Sequence, residues 1–485
     1  MYLAMAAVRK RDTVGVSGEG KISDNARLMR RATLWSLGLL LVAAVTPLAA
    51  EDAAAWMGVR GATAERLGDP VFGGNLMLYR AGTRGADAVV LVHGLGQNGA
   101  RDWARVVPAL AQRYEVFALD LPGFGLSDKG NELYSPESYA QVIEKVVAPR
   151  AGKPFVLVGH SLGAAISLGY AAAHPQRVKR LVLSDMAGIL QGPVYAESLA
   201  RFGIAQKSGM PEGAPWIDSV LERLIARVEN LPLSREMVLR TPAMRQKMLR
   251  GDPNLIAAFA LGEHDYSEAL RGITMPTLLI WGTEDRIAPL RTARLANALI
   301  LGSRLELVPG AGHTPMLDDP DRFNALLLED LAGGRTAARQ TPRSGPIEGK
   351  AVKCDGQAGA RYSGDIPKLT LIRCAGAEIN NARIGELRVL ESDVQVMNSE
   401  IREGLYAMRS GVQLTAGSVA GTPALQLQDG DFDAAGTRFE SSGAIATNLG
   451  ETPLTLRLSV AEVRRPGAGP RYVHDSVRIA PGANW

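Results

Sequence analysis

The feature that most restricts the fold is an alternation, between residues 70 and 332, of short apolar runs with helix-prone stretches. A parallel strand buried on both faces reads as a continuous Val/Ile/Leu run rather than as an alternating pattern. Such runs occur at Val89 to Val92, Val116 to Leu119, Phe155 to Val158, Leu181 to Leu183, Thr277 to Trp281 and Leu305 to Val308. Helical stretches separate them, so they predict an α/β fold: a doubly wound, mostly parallel sheet with helices on both faces. Between Gly188 and Arg271 the alternation lapses, and Trp216, Val220, Leu221, Leu224 and Val228 fall three or four apart on one helix face. A helical insertion there, over about 188–271, reads as a cap above the C-terminal edge of the sheet.

A chain of 485 residues exceeds what one core usually supports, and the sequence divides accordingly. Residues 51–332 carry the α/β pattern, 333–350 form a polar linker bearing Gly and Pro, and 351–485 form an all-β unit. From about 369 to 447 segments recur with a period near 19: Leu387, Leu405 and Ala424 begin successive units. Val394 with Ile401, Val412 with Val419, and Phe432 with Phe439 follow at steps of about seven. Three apolar contacts per unit fill a three-sided coil, so this stretch resembles a right-handed parallel β-helix; a small β-sandwich is the alternative.

Asp429, Asp431 and Asp433 alternate beside Phe432, which puts the three carboxylates on one strand face. We read them as a solvated outer face, with Ca²⁺ binding or acid–base chemistry as the alternative. The two cysteines, Cys354 and Cys374, both fall in this unit. They are a disulfide candidate whose loop closure stabilises by about 3 kcal/mol, or else a pair of inert thiols.

Residues 1–50 concern address. Met29-Arg30-Arg31, the apolar run Leu34 to Val45, and Pro47 to Ala50 give the charged, apolar and small-residue order of a secretory signal. The expectation is export to the periplasm or cell envelope, with an uncleaved anchor holding the chain at the membrane as the alternative. Lys and Arg number 54 against 50 Asp and Glu, and no basic block interleaves with aromatics, which argues against nucleic-acid partners.

Chemistry concentrates in the α/β unit. Gly159-His160-Ser161-Leu162-Gly163 joins a strand run to the helix-prone Ala164 to Leu168, the context of a sharp turn that lifts a serine hydroxyl above the sheet. A serine hydroxyl needs a base. Among the histidines, His313 in Pro309-Gly310-Ala311-Gly312-His313 follows the last strand run and opens at the same sheet edge. The imidazole needs a carboxylate to set its tautomer, and Asp285 in Gly282-Thr283-Glu284-Asp285 follows the run before it. The order Ser161, Asp285, His313 fits; Asp185, at the end of an earlier strand, is the alternative acid. The oxyanion donors are the Leu162 amide at the helix start and the Leu95 amide in the loop after Val92. His93, His160, Met186, Trp216 and Phe259 are candidate pocket residues, with plain packing as the competing reading.

His93-Gly94, Asp120-Leu121-Pro122-Gly123-Phe124-Gly125-Leu126-Ser127, the Ser161 turn, Trp281-Gly282 with Asp285 and Pro289, and Gly312-His313 together resemble the capped α/β-hydrolase family of esterases, perhydrolases and carbon–carbon hydrolases. The resemblance covers roughly residues 70 to 332. It implies a cofactor-free hydrolase with no metal site, acting on a small-molecule ester through Ser161. Relatives that dehalogenate or open epoxides place Asp at the nucleophile, and Ser161 argues against both. A carbon–carbon bond cleaved by the same triad is a second reading. A third is an envelope-binding protein whose β-helix meets a polymer or protein partner and targets the hydrolase.

Overall fold

The computed structural model describes residues 50–190, 235–333 and 345–485. The signal-like segment, the stretch from Trp216 to Val228 expected to be helical, and most of the linker lie outside the described residues. Among the described residues no helix is long and apolar enough to cross a membrane.

The expected runs are all strands of one eight-stranded sheet. Its members are β1 (Thr63–Gly68), β2 (Asn75–Gly82), β3 (Ala88–Val92), β4 (Glu115–Asp120), β5 (Phe155–His160), β6 (Val178–Ser184), β7 (Thr277–Gly282) and β8 (Arg304–Val308). Their order is β1-β2-β4-β3-β5-β6-β7-β8, antiparallel up to the β2–β4 pair and parallel thereafter. Along β3, Val90 and Val92 enter one hydrophobic core while Val89 and Leu91 enter the other, on the opposite face. Every second residue thus faces a different apolar layer, which is why the run is continuous. Strand β1 carries no such run, being an exposed edge that bears Glu65 and Arg66, whereas β2 buries the apolar run Leu76 to Tyr79.

Helix α1 (Leu162–Ala173) follows β5 and is buried along nearly its whole length. The described part of the cap is helical, as α2 (Arg235–Arg240), α3 (Pro242–Leu249), α4 (Pro253–Glu263) and α5 (Ser267–Gly272). Asp252 caps α4 by accepting from the Asn254 amide at 2.8 Å, and Pro253 occupies the first turn, where no amide is needed. Helix α6 (Leu290–Leu299) then covers the sheet after β7.

The C-terminal unit is a coil of parallel strands. Leu369, Leu387, Leu405, Leu425 and Ala446 pair in one column, so successive rungs take 18, 18, 20 and 21 residues. The third unit therefore begins at Leu425 and not at Ala424, because the corner around Thr422 and Pro423 lengthens that rung. Val394, Val412, Phe432 and Leu456 form a second inward column, and Ile384, Ile401, Val419, Phe439 and Val463 a third. All are buried in one core. Parallel pairing throughout the rungs excludes the sandwich alternative. The antiparallel strand Arg471–Ile479 pairs with the last rung, and Cys354 and Cys374 form a disulfide.

Two corners of the coil are columns of left-handed residues. One runs Arg373, Glu391, Arg409, Asp429, with Arg373 paired to Asp355 and Arg409 to Glu391. The other runs Asn381, Asn398, Ala416, Gly436, Val460; its first two members are exposed and its last three buried. This second corner meets the α/β unit. A Cβ on Gly436 would fall 2.3 Å from Leu295 of α6, and Ala435 and Val460 join the same hydrophobic core as Leu295 and Ala296.

Polar contacts frame that junction. Arg291, in the first turn of α6, forms a two-pronged ion pair with Asp433 and donates to Thr415 Oγ1 at 2.8 Å and the Leu414 carbonyl at 2.9 Å. Arg271 of α5 donates to the Val460 carbonyl at 3.1 Å and lies over the Tyr472 ring. The three aspartates thus do not share one solvated face. Asp429 sits at a left-handed corner, Asp431 points to solvent, and Asp433 is spent on Arg291.

Candidate active site

Strands β5, β7 and β8 run parallel, so their C-terminal ends open at one sheet edge and deliver Ser161, Asp285 and His313 to the same place. Ser161 has φ 53° and ψ −118°, a conformation a non-glycine residue holds only when its surroundings impose it. The flanking glycines supply that imposition. A Cβ on Gly159 would lie 2.3 Å from the Gly163 carbonyl, and one on Gly163 would lie 2.1 Å from the Val92 carbonyl. The turn is therefore locked between β3, β5 and α1, with the α1 N-terminus directed at the serine.

His313 Nε2 lies 2.9 Å from Ser161 Oγ, and His313 Nδ1 lies 2.8 Å from Asp285 Oδ2. In the tautomer this arrangement demands, Nδ1–H donates to the carboxylate and Nε2 accepts from the serine hydroxyl. The other oxygen of Asp285 accepts from the amides of Ile287 at 2.8 Å and Ala288 at 3.0 Å. Trp281 Nε1–H in turn donates to the Ala288 carbonyl at 2.7 Å, fixing the loop to β7. Gly312 is held by Asp318, which accepts from its amide at 2.9 Å.

His160 holds His313 from behind. Its Nε2–H donates to the His313 carbonyl at 2.6 Å, and Trp103 packs edge-on against its ring. Burial, reinforced by neighbouring His313, lowers its pKa to about 3, so the ring is neutral and stays a one-proton donor. His93 has no exposed surface; it accepts from the Leu121 amide at 3.0 Å and its Nδ1–H donates to the Gly94 carbonyl at 2.6 Å. Met186 is wholly inside the sheet core. These three residues thus support the site from within and do not line an open pocket. Phe259, on α4, is half-buried against that core, and Trp216 lies outside the described residues.

The Leu162 amide is the first of α1, directly after Ser161. Leu95 follows Gly94, where a Cβ would fall 2.9 Å from Ser161 Cβ, so its loop lies against the serine turn. Asn254 of the cap accepts from the Gly96 amide at 2.9 Å and ties that loop to α4. Asp120 explains the motif around it: it accepts from the Ala100 amide, the Leu126 amide and the Tyr79 hydroxyl, a buried brace outside the chemistry.

Asp185, at the end of β6, does not bond to His313. It is fully buried next to Asp285, and burial together with the Asp285 charge raises its carboxyl well above the usual range. Among the described residues, Asp185, Asp285 and His313 alone bring three metal-ligand-type atoms within 4.8 Å of one another. These are the atoms already joined in the Asp285–His313 relay and its neighbour.

Residues 89–326 match the profile described as "Alpha/beta hydrolase family", ending before the β-helix. A pimeloyl-[acyl-carrier protein] methyl ester esterase of Edwardsiella ictaluri is 30% identical over 260 residues, covering 51% of this chain and 94% of that protein. A 2-hydroxy-6-oxononadienedioate/2-hydroxy-6-oxononatrienedioate hydrolase of Cupriavidus pinatubonensis is 29% identical over 256 residues, covering 51% and 87%. Among solved structures, a carboxylesterase of Bacillus subtilis aligns at 19% identity with a TM-score of 0.42, covering 59% of this chain and 96% of that one.

Proposed function

Since this chain belongs to the alpha/beta hydrolase family, we propose that it hydrolyses a carboxylic ester without a cofactor, through an acyl-enzyme formed on Ser161. The observation that carries the reading is the unbroken run of hydrogen bonds from Asp285 through His313 to Ser161. As Ser161 Oγ attacks the ester carbonyl, His313 Nε2 takes its proton and Asp285 stabilises the imidazolium. The amides of Leu95 and Leu162 receive the oxyanion, the alcohol leaves with the proton from His313, and water repeats the sequence to free the acid.

Similarity to an esterase supports the ester reading. Similarity to a hydrolase of 2-hydroxy-6-oxo acids supports carbon–carbon cleavage by the same residues as the second reading. Phe259 and Trp216 are the cap residues proposed to meet an apolar acyl group. Export through the residue 29–50 segment, to the periplasm or cell envelope, and a polymer or protein partner for the β-helix complete the proposal.

The test is fluorophosphonate labelling and turnover of p-nitrophenyl esters by the wild type and Ser161→Ala. The variant loses labelling and about 10⁴-fold or more in kcat. Undiminished labelling removes Ser161 as nucleophile, and turnover of 2-hydroxy-6-oxo acids without esters selects the second reading.

A further inference from the structure

Asp185 occupies the end of β6 with a left-handed backbone, φ 46°, and no exposed surface. Oδ1 accepts from the Gly282 amide at 2.9 Å, and Oδ2 accepts from the Ser184 hydroxyl at 2.7 Å. One of its carboxylate oxygens lies within 4.8 Å of a carboxylate oxygen of Asp285 and of a ring nitrogen of His313. Among the described residues no Arg or Lys pairs with it. Two ionised carboxylates this close, out of water and without a cation, repel strongly enough that the pair keeps one proton. The donor sets decide which acid holds it. Asp285 receives the Ile287 and Ala288 amides and the His313 Nδ1–H, whereas Asp185 receives one amide and a hydroxyl. The charge therefore rests on Asp285.

We propose that Asp185 is a positioning residue of this site: a neutral carboxylic acid that donates its proton in a hydrogen bond to Asp285 and holds that carboxylate where His313 Nδ1–H reaches it. The proposal rests on the triad reading and adds a fourth member behind it. Burial and the Asp285 charge both push the Asp185 carboxyl upward, in the direction this role requires. The groups that face the pair are Asp285, His313 and Ser184, with the neutral His160 on the far side of His313.

The experiment compares Asp185→Asn and Asp185→Ala by kcat, KM and the pH profile of kcat/KM over roughly pH 5 to 9, with Ser161→Ala labelling in parallel. Asparagine tolerates the left-handed backbone, keeps an acceptor for Gly282 and a neutral donor for Asp285. Asp185→Asn then keeps kcat/KM within about threefold and leaves the acid limb in place, while Asp185→Ala lowers kcat about tenfold or more with KM steady. A shift of the acid limb by about one pH unit in Asp185→Asn would mean that a charge was removed, and overturns the proposal. So does a loss in Asp185→Asn beyond about tenfold, or an unchanged kcat in Asp185→Ala. Should the alanine variant not fold, the asparagine variant decides alone. Persistent labelling of Ser161→Ala sinks the triad and this proposal together. An inactive Asp185→Asn beside an active Asp285→Asn moves the orienting acid to Asp185 and overturns this proposal together with Asp285's place in the triad, while Ser161 and His313 keep theirs.

Discussion

The junction between the α/β unit and the β-helix can be weighed through the Arg291–Asp433 pair. Their side chains are 15% and 28% exposed, so the pair is neither a surface contact nor fully buried. Breaking a buried pair by removing one partner costs about 3–5 kcal/mol, and an exposed pair is worth about 0–1 kcal/mol. The intermediate exposure places Asp433→Ala near 2 kcal/mol. Arg291→Ala also strips the Leu414 carbonyl and Thr415 Oγ1 of a donor, which takes it to about 3 kcal/mol. Once either partner is gone the other has less to lose, so the double variant falls short of the sum by about 1–2 kcal/mol. The assay is urea unfolding of the wild type, both single variants and the double variant, with ester turnover on each. Turnover stays within about threefold, because the hydrogen bonds of Asp285, His313 and Ser161 do not include Arg291. A coupling energy within about 0.5 kcal/mol of zero would refute the idea that this pair secures the junction.

Two further predictions concern acid stability and the reach of the second domain. His160 has a folded pKa of about 3 against the ordinary 6.5, so the unfolded chain binds the extra proton between those values. Stability is fully present above roughly pH 6.5 and falls by about 1.4 kcal/mol per pH unit as the medium becomes more acid, until the folded pKa is reached. His160→Gln flattens that slope in urea titrations between roughly pH 7 and 4.5, and an unchanged slope would contradict the assignment. A chain truncated after Arg335 uncovers Leu295 and Leu299 of α6 and unfolds at a lower temperature. It keeps kcat/KM on a short-chain ester within about tenfold, or about 1.4 kcal/mol; a folded truncation that loses more would show that the β-helix contributes to the site.

What could be read from the sequence depended on whether the relevant neighbours were local. Strands β3 to β7 were legible because burial on both faces writes itself into consecutive residues, as along Val89 to Val92, whereas the edge strand β8 is only partly buried and shows through Leu305, Leu307 and Val308. The edge strand β1 escaped because, with Glu65 and Arg66, it meets mostly water; β2, beside it, buries the apolar run Leu76 to Tyr79, which the sequence reading passed over. Ser161, Asp285 and His313 were legible together because parallel strands bring loops at strand ends to one edge, so chain order stands in for space. Asp433 was misread as solvated because its partner lies 142 residues away in sequence. Asp429 was misread because strand alternation fails at left-handed residues, and both Asp429 and Gly430 adopt positive φ there. His93, His160 and Met186 are each adjacent in sequence to a loop or turn of the site, which suggested a pocket. Adjacency along the chain does not distinguish a residue facing the opening from one facing the sheet.

The corner column Asn381, Asn398, Ala416, Gly436, Val460 has a consequence for length. The same left-handed backbone position carries amides where it is exposed and small or apolar groups where it meets α6 and α5. Docking is therefore written into particular rungs, while the rungs ahead of them behave as interchangeable spacers. A duplicated 18-residue rung placed before Asn398 would lengthen the coil away from the hydrolase and leave the joint untouched. The same insertion between Ala416 and Val460 would slide Gly436 and Asp433 out of register with Leu295 and Arg291. The coil is in this respect a ruler with its zero mark at the enzyme, and its far end can be extended or shortened without resetting the enzyme's position.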